Sequence, residues 1–377
     1  MKIGFDAKRA FQNNTGLGNY SRSLIDSLAV GYPQHDYYLF APKETSMYNW
    51  KRFPDMHLIT PQRRIHKWLK SVWRSRMMVP ALQKQGVDIY HGLSHEIPFG
   101  IHDSGVKSVV TMHDLIFERY PSQYNPIDVM TYRRKARYAC KYADVVVAIS
   151  EQTKQDLITY YQTPADKIKV VYQSCDPAFS QLHSREHIQA FKAKYQLPAS
   201  YFLYVGSVIE RKNLLGIVTA MRTLDITDRL PLVVLGSGGG YRKKVLEWLQ
   251  QNGMKQEVIW LNERARLDNS ELPCLYQGAR ALVYPSLFEG FGIPILEALW
   301  SGTPVITSSG SCFGETAGEA ALYVDPLEPA TIADAMKRIV NDDALAADLR
   351  TKGFQHAQLF TAEKCAAAMM NVYNSIK

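Results

Sequence analysis

With 377 residues, 46% hydrophobic and 21% charged, the chain has the length and composition of a folded protein of two domains, which excludes a largely disordered chain. No apolar run approaches the roughly 18–20 residues a membrane span needs, and the start MKIGFDAKRA lacks the apolar core of a signal peptide. Five scattered cysteines with no C-x-x-C pair argue against a disulfide framework or a zinc site and point to reduced thiols in a cytoplasmic protein, while the net charge of +8 is concentrated in one segment.

Taken in chain order, the sequence alternates short β-branched runs with amphipathic helical stretches. The first half predicts strands at Lys2–Asp6, Tyr37–Phe40, His57–Ile59, Asp88–His91, Ser108–Met112, Asp144–Ile149 and Lys169–Tyr172. Helices are predicted between them, as at Asn19–Ala29 and Glu151–Tyr161. The second half predicts strands at Tyr201–Val205, Leu232–Leu235, Val258–Leu261, Ala281–Tyr284, Pro304–Thr307 and Leu322–Val324. Strand–helix alternation of this kind implies parallel sheets covered on both faces. Two such series imply two doubly wound α/β domains, residues 1–180 and 181–360. The pattern lapses around residues 173–200, where a single helix, Glu186–Tyr195, is expected. A last helix, Thr361–Ile376, follows the second series, and residues 361–377 are free to cross back to the first domain. Ligands of open α/β sheets bind beyond the carboxyl ends of the strands, so a cleft between two facing sheets is the expected site.

The basic segment runs from Lys51 to Met78. It holds Lys51, Arg52, Arg63, Arg64, Lys67, Lys70, Arg74 and Arg76 against the single acid Asp55. Ile65, Trp68, Leu69, Val72, Trp73 and Met77 share one helical face, and Arg64, Lys67, Lys70, Ser71 and Arg74 the other. Residues 64–78 therefore read either as an interfacial helix for an anionic membrane surface or as a helix packed on its own domain. A nucleic-acid partner is not expected, because aromatic-studded RNA-binding signatures are missing and the charge is local.

Four local patterns carry chemistry. In YPSLFEGFGIPILEAL, Tyr284–Leu299, a strand runs into the loop Glu289-Gly290-Phe291-Gly292 and then a helix with Pro294 in its first turn. Free N–H groups at such a helix tip suit a diphosphate, and Glu289 and Glu297 suit a hydroxyl-rich ligand. A plain helix start with two solvated glutamates fits the same letters. After the strand at Tyr201–Val205, Gly206 leads to Glu210-Arg211-Lys212-Asn213, where Arg211 and Lys212 either offset a diphosphate or form an exposed charged helix start. Thr15-Gly16-Leu17-Gly18 reads as a turn against phosphate or acceptor, or as an ordinary β–α turn. Gly236-Ser237-Gly238-Gly239-Gly240 has the same standing. His113, ending the strand Ser108–Met112, faces the expected cleft or is a core histidine with Asp114 capping the next segment.

In this order these patterns, with FDAKRAFQNNTGLGNY, MHDLIFERYP, VAISEQTKQDL, GTPVITSS and ETAGEAALYVDP, resemble the family-4 retaining glycosyltransferases over essentially the whole chain. The E-x7-E spacing of Glu289 and Glu297 is the most specific element. The resemblance implies a GT-B fold, two Rossmann-like domains facing each other across a cleft. It also implies a nucleotide-sugar donor and a glycan or lipid-linked acceptor. Arg211 and Lys212 would grip the donor diphosphate, Glu297 the ribose hydroxyls and Glu289 the hydroxyls of the transferred sugar. Gly290, Phe291 and Gly292 would lend amides, and His113 would sit near the anomeric carbon. Gly16 and Gly18 would form a loop across the cleft, and Ser150-Glu151 a helix start lining it. FDAKR and His-Asp-Leu look most like relatives that use GDP-mannose in bacterial polysaccharide synthesis, with UDP-sugar transferases and a nucleotide-sugar epimerase as alternatives. No D-x-D motif occurs, so no metal and no cofactor are expected. Gly314-Glu315 departs from the Pro-Glu common in the family, and Ser308–Gly314 is unusual.

Overall fold

The computed structural model describes residues 1–62, 72–264 and 267–377. The chain divides into two compact units, Met1–Ser174 with Phe360–Lys377, and Cys175–Leu359.

The first unit is built on a seven-stranded sheet in the order β3-β2-β1-β4-β5-β6-β7. Its strands are β1 Lys2–Asp6, β2 Asp36–Phe40, β3 Met56–Ile59, β4 Ile89–Gly92, β5 Lys107–Met112, β6 Val145–Ala148 and β7 Ile168–Val170. Every ladder is parallel. Both faces are buried, so the strands read as continuous apolar runs such as VVVA in β6. Side chains of period two divide between two cores: Val109, Val145 and Val147 enter one, and Val110, Val146 and Ala148 the other. The C-terminal helix, Ala362–Asn374, belongs to the first of these. Its Met369, Met370 and Tyr373 pack with Leu24, Ile25 and Leu28 of the helix Gly16–Gly31.

The second unit has a six-stranded parallel sheet in the order β10-β9-β8-β11-β12-β13. The strands are β8 Phe202–Val205, β9 Leu232–Leu235, β10 Val258–Trp260, β11 Ala281–Tyr284, β12 Val305–Ser308 and β13 Ala321–Val324. All thirteen predicted strands thus appear, each within a residue or two of its expected limits. In both sheets the chain starts in the middle, winds to one edge, and returns to wind to the other. The reversal falls between β1 and β4 in the first sheet and between β8 and β11 in the second, the topological position where α/β sheets open a crevice.

Candidate active site

In the second unit the loops leaving β8 and β11 emerge side by side, because these strands are neighbours at the reversal. The first loop carries the short turn Glu210–Lys212 and the second carries Glu289-Gly290-Phe291-Gly292. The two are stitched by backbone: Leu287 N donates to Arg211 O at 2.8 Å. The Arg211 guanidinium also donates to the Phe288 carbonyl. Arg211 Nη1 lies 2.7 Å and Lys212 Nζ 2.6 Å from the same Glu289 Oε1. Lys212 Nζ further contacts the Tyr284 hydroxyl and stands 4.5 Å from the centre of its ring.

This geometry overturns the reading of Arg211, Lys212 and Glu289 as solvated surface charges. Arg211 and Glu289 are each only 8% exposed. Burial opposes ionisation of Glu289, but Lys212 and Arg211 prevail and hold its carboxyl below the usual range. Burial pushes the Lys212 ammonium down, and Glu289 counters it. Two cations sharing one carboxylate leave one positive charge in excess among these three groups.

Glycines shape the rim. Gly292 has φ +93° and begins the helix Ile293–Trp300, with Pro294 in the first turn. Gly206 has φ +138°. A Cβ on Gly236 would stand 2.0 Å from Gly206 O, and one on Gly238 2.3 Å from Val208 O, so the GSGGG run lets the loop after β9 close on the loop after β8. The unusual stretch after β12 braces the Glu289 loop. Ser311 Oγ donates to Glu289 O at 3.0 Å, Cys312 Sγ to the same oxygen at 3.3 Å, and Thr316 Oγ1 to Phe291 O. Nothing in SSGSCFGET announces this role in sequence.

Glu297 lies one turn into the helix, where Tyr276 donates its hydroxyl hydrogen to Oε2 at 2.6 Å. Burial pushes the Glu297 carboxyl up to about 7, against the Tyr276 hydrogen bond. Tyr276 is itself packed edge-on by Phe179 at 5.4 Å. Tyr276 and Tyr284 escaped the sequence reading, since a buried tyrosine in an apolar run gives no sign of which carboxylate or ammonium it meets.

In the first unit His113 follows β5 and is 5% exposed. Its Nε2–H donates to Leu93 O at 2.8 Å, and its Nδ1 accepts from the Gln173 amide at 3.0 Å. His113 N donates to His95 Nε2 at 2.8 Å, and the Tyr20 ring meets the imidazole edge-on at 4.6 Å. Burial, reinforced by His95, lowers the His113 pKa to about 3. Asp114 Oδ1 accepts from Ile116 N at 3.0 Å, at the start of the short helix Ile116–Arg119. A second buried relay, unseen in sequence, runs from Tyr373 through His91 to Thr111 and Tyr20. Gly16 and Gly18 lie in the first turn of the helix Gly16–Gly31. A Cβ on Gly18 would stand 1.9 Å from Asn13 O, so that glycine serves close packing of the turn. Ser150 caps the helix Glu151–Tyr161, its hydroxyl accepting from Thr153 N at 3.0 Å.

The expected basic helix 64–78 lies for the most part outside the described residues, since 63–71 are not among them. Its described end corrects the assignment of faces. Trp73 and Arg74 are both buried, whereas Val72 and Met77 are each 41% exposed. Arg74 Nε is 2.7 Å from Asp6 Oδ2, its guanidinium also pairs with Glu96, and Lys135 Nζ reaches Glu96 at 2.7 Å. Two carboxylates draw Arg74 inward, which the helical period alone did not anticipate. Among the described residues no helix is long and apolar enough to cross a membrane.

Comparison with known proteins agrees with this architecture. Residues 15–179 match the model of Glycosyltransferase Family 4, and residues 185–356 that of Glycosyl transferases group 1. The chain is 28% identical to the O-antigen chain mannosyltransferase B of Escherichia coli over 99% of both chains. It is 30% identical to the O-antigen chain mannosyltransferase RfbU of Salmonella typhimurium over 61% of this chain and 60% of that one. Among solved structures, HepE of Anabaena in complex with UDP superposes with a TM-score of 0.75 over 100% of both chains at 16% identity, a likeness of fold. With glycosyltransferase domains matched in both halves and two doubly wound parallel sheets, this chain belongs to the glycosyltransferases of the GT-B fold and is a hexosyltransferase.

Proposed function

We propose that this chain is a retaining mannosyltransferase that uses GDP-mannose and extends a glycan or lipid-linked acceptor in cell-surface polysaccharide synthesis. The observation that carries the reading is the convergence of Arg211 and Lys212 on Glu289 beside the Gly292 helix start, at the strand reversal of the second sheet. The choice of mannose and of the polysaccharide setting rests on the O-antigen mannosyltransferases to which the chain is similar.

On this reading the diphosphate of the donor takes up the excess positive charge of the cluster. As the sugar departs, negative charge grows on the leaving phosphate, and Arg211, Lys212 and the helix-tip amides are already aimed at it. One such donor is typically worth ~3–4 kcal/mol of barrier. The bond from the anomeric carbon to the phosphate oxygen breaks. The acceptor oxygen forms its bond on the same face, and its proton passes to the leaving phosphate, which is released as the nucleoside diphosphate. Glu297 accepts from the ribose hydroxyls. Glu289 keeps the two cations from repelling each other and orients the transferred sugar without acting as a nucleophile. His113, neutral and held at both nitrogens, is a fixed polar group of the first unit. The chemistry needs no metal, because two side-chain cations neutralise the leaving group.

A UDP-sugar donor is the second reading, favoured by the likeness to a structure solved with UDP. Incubation of the purified protein with a panel of GDP- and UDP-sugars and a glycan acceptor decides between them. Acceptor-dependent release of GDP from GDP-mannose, with retained configuration by NMR of the product, is expected. Turnover confined to UDP-sugars replaces the donor. Acceptor-independent release of an epimerised free sugar overturns the transferase reading in favour of an epimerase.

A further inference from the structure

We propose that the second unit carries a zinc-binding site formed by His183, His187 and Cys274, separate from the donor site. His183 and His187 stand four residues apart, Cys274 lies far from both in sequence, and the spacing of the cysteines gave no hint of a metal. The fold brings one ligand atom of each to within 4.8 Å of the others. The two imidazoles stack with centroids 4.6 Å apart and an interplanar angle of 15°. Neither ring makes a hydrogen bond among the described residues, so their nitrogens are open to a metal. Cys274 is 1% exposed on the short helix Leu272–Gln277, facing the two histidines, whereas His187 is exposed and lies toward solvent.

The surroundings hold this set in place before any ion arrives. Gln277 Oε1 accepts from His183 N at 2.9 Å, and Gln277 Nε2 donates to Gln181 O at 2.8 Å, which ties the His183 segment to the Cys274 helix. Ser184 caps the helix Arg185–Lys194 by accepting from His187 N at 3.2 Å, which fixes the start of the turn that carries His187. The far end of the same helix pair is pinned by Lys194 and Tyr195 on Glu271, at 2.8 and 2.6 Å. The helices are therefore docked without a metal, and the site is an added clamp.

Two imidazoles and a thiolate suit a borderline-soft divalent ion and do not suit calcium or magnesium. Zinc bonds of about 2.0–2.1 Å to nitrogen and about 2.3 Å to sulfur require the ligand atoms to close in by roughly 1 Å. Rotation of the exposed His187 side chain supplies that movement. The fourth position falls to water on the solvent side. Binding converts the Cys274 thiol to thiolate and releases its proton to solvent, while zinc stays divalent throughout. The clamp would bear on the helix that carries Tyr276, the hydrogen-bond donor to Glu297.

The test uses full-length protein without a polyhistidine tag, dialysed against chelator and titrated with cobalt and then zinc. Cobalt should saturate at equimolar metal with a cobalt–thiolate charge-transfer band, and zinc should displace it. Cys274→Ser should abolish the band, and His187→Ala, at an exposed position, should weaken binding by at least about tenfold. Absence of the thiolate band in the wild-type protein would overturn the proposal. So would equal metal binding by the wild type and both variants, which is the signature of adventitious surface histidines. Donor turnover by the chelated protein is measured alongside, so failure of the metal site leaves the transferase reading standing.

Discussion

Tyr276 donates its hydroxyl hydrogen to Glu297 at 2.6 Å, and this single bond does not offset the burial that raises the Glu297 carboxyl to about 7. The folded state therefore keeps a proton that the unfolded chain gives up near 4.5. Stability from this group is lost as pH rises from about 4.5 to about 7, by no more than about 3 kcal/mol. Glu297→Gln keeps an acceptor for Tyr276 and removes the titration. Denaturant unfolding at several pH values should show the variant gaining on the wild type across that window. A gap that is flat with pH would refute the assignment. Donor KM in the wild type should fall as pH rises through about 7, because the ionised carboxylate is the better acceptor for ribose hydroxyls.

Three buried histidines act in the opposite sense. Burial lowers the pKa of His91 to about 3, of His95 to about 4 and of His113 to about 3. The unfolded chain takes up protons below about 6.5 that the folded state refuses until pH 3–4. Stability should fall as pH drops through this range, with a slope approaching three protons, or about 4 kcal/mol per pH unit. Replacing His91 by Gln, which retains hydrogen-bonding capacity toward Tyr373 and Thr111, should reduce the slope by about one proton.

Arg211 and Lys212 should separate chemistry from folding. Lys212→Met and Arg211→Lys are each expected to lower kcat by about 10²–10³-fold, in line with loss of one preorganised donor to a leaving oxyanion. Circular dichroism should remain that of the wild type. Wild-type turnover in both would remove the cluster from the mechanism.

Glu289→Gln should behave differently, since it leaves two buried cations without their carboxylate. Breaking such a buried pair costs about 3–5 kcal/mol. The melting temperature should fall, and inorganic diphosphate or nucleoside diphosphate should recover part of the loss by supplying the missing negative charge. A variant as stable as the wild type without ligand would show that the cluster is not held as described.

Arg74→Met should also destabilise by about 3–5 kcal/mol, because it strands Asp6 and Glu96 in a buried site. Urea denaturation measures this directly. Liposome binding is therefore better probed by charge reversal at Arg64, Lys67 and Lys70. Loss of flotation with anionic vesicles in that variant alone would support a membrane role for the segment.

Much of the fold was legible in the letters because parallel strands are buried on both faces and stand out as apolar runs between helical stretches. LVVL, ALVY and VVVA needed no partner to be recognised. The Gly292–Pro294 helix start was equally plain, since φ +93° and a missing N–H each demand a particular residue. The polar contacts were not. Arg74 was assigned to a solvated face by helical period, yet Asp6, distant in sequence, draws it inside. Cys312 and Thr316 carry no local mark of the carbonyls they support.

By itself the sequence determined the two α/β series, the glycine-flanked helix tip and the identity of the residues around it, because these follow from periodicity and backbone chemistry local to each segment. Only the tertiary structure decided that Arg211 and Lys212 share Glu289, that Tyr276 answers Glu297, and that His113 is neutral and held at both nitrogens. Those facts depend on burial and on charges brought together from distant segments, and neither is a property of any one stretch of chain.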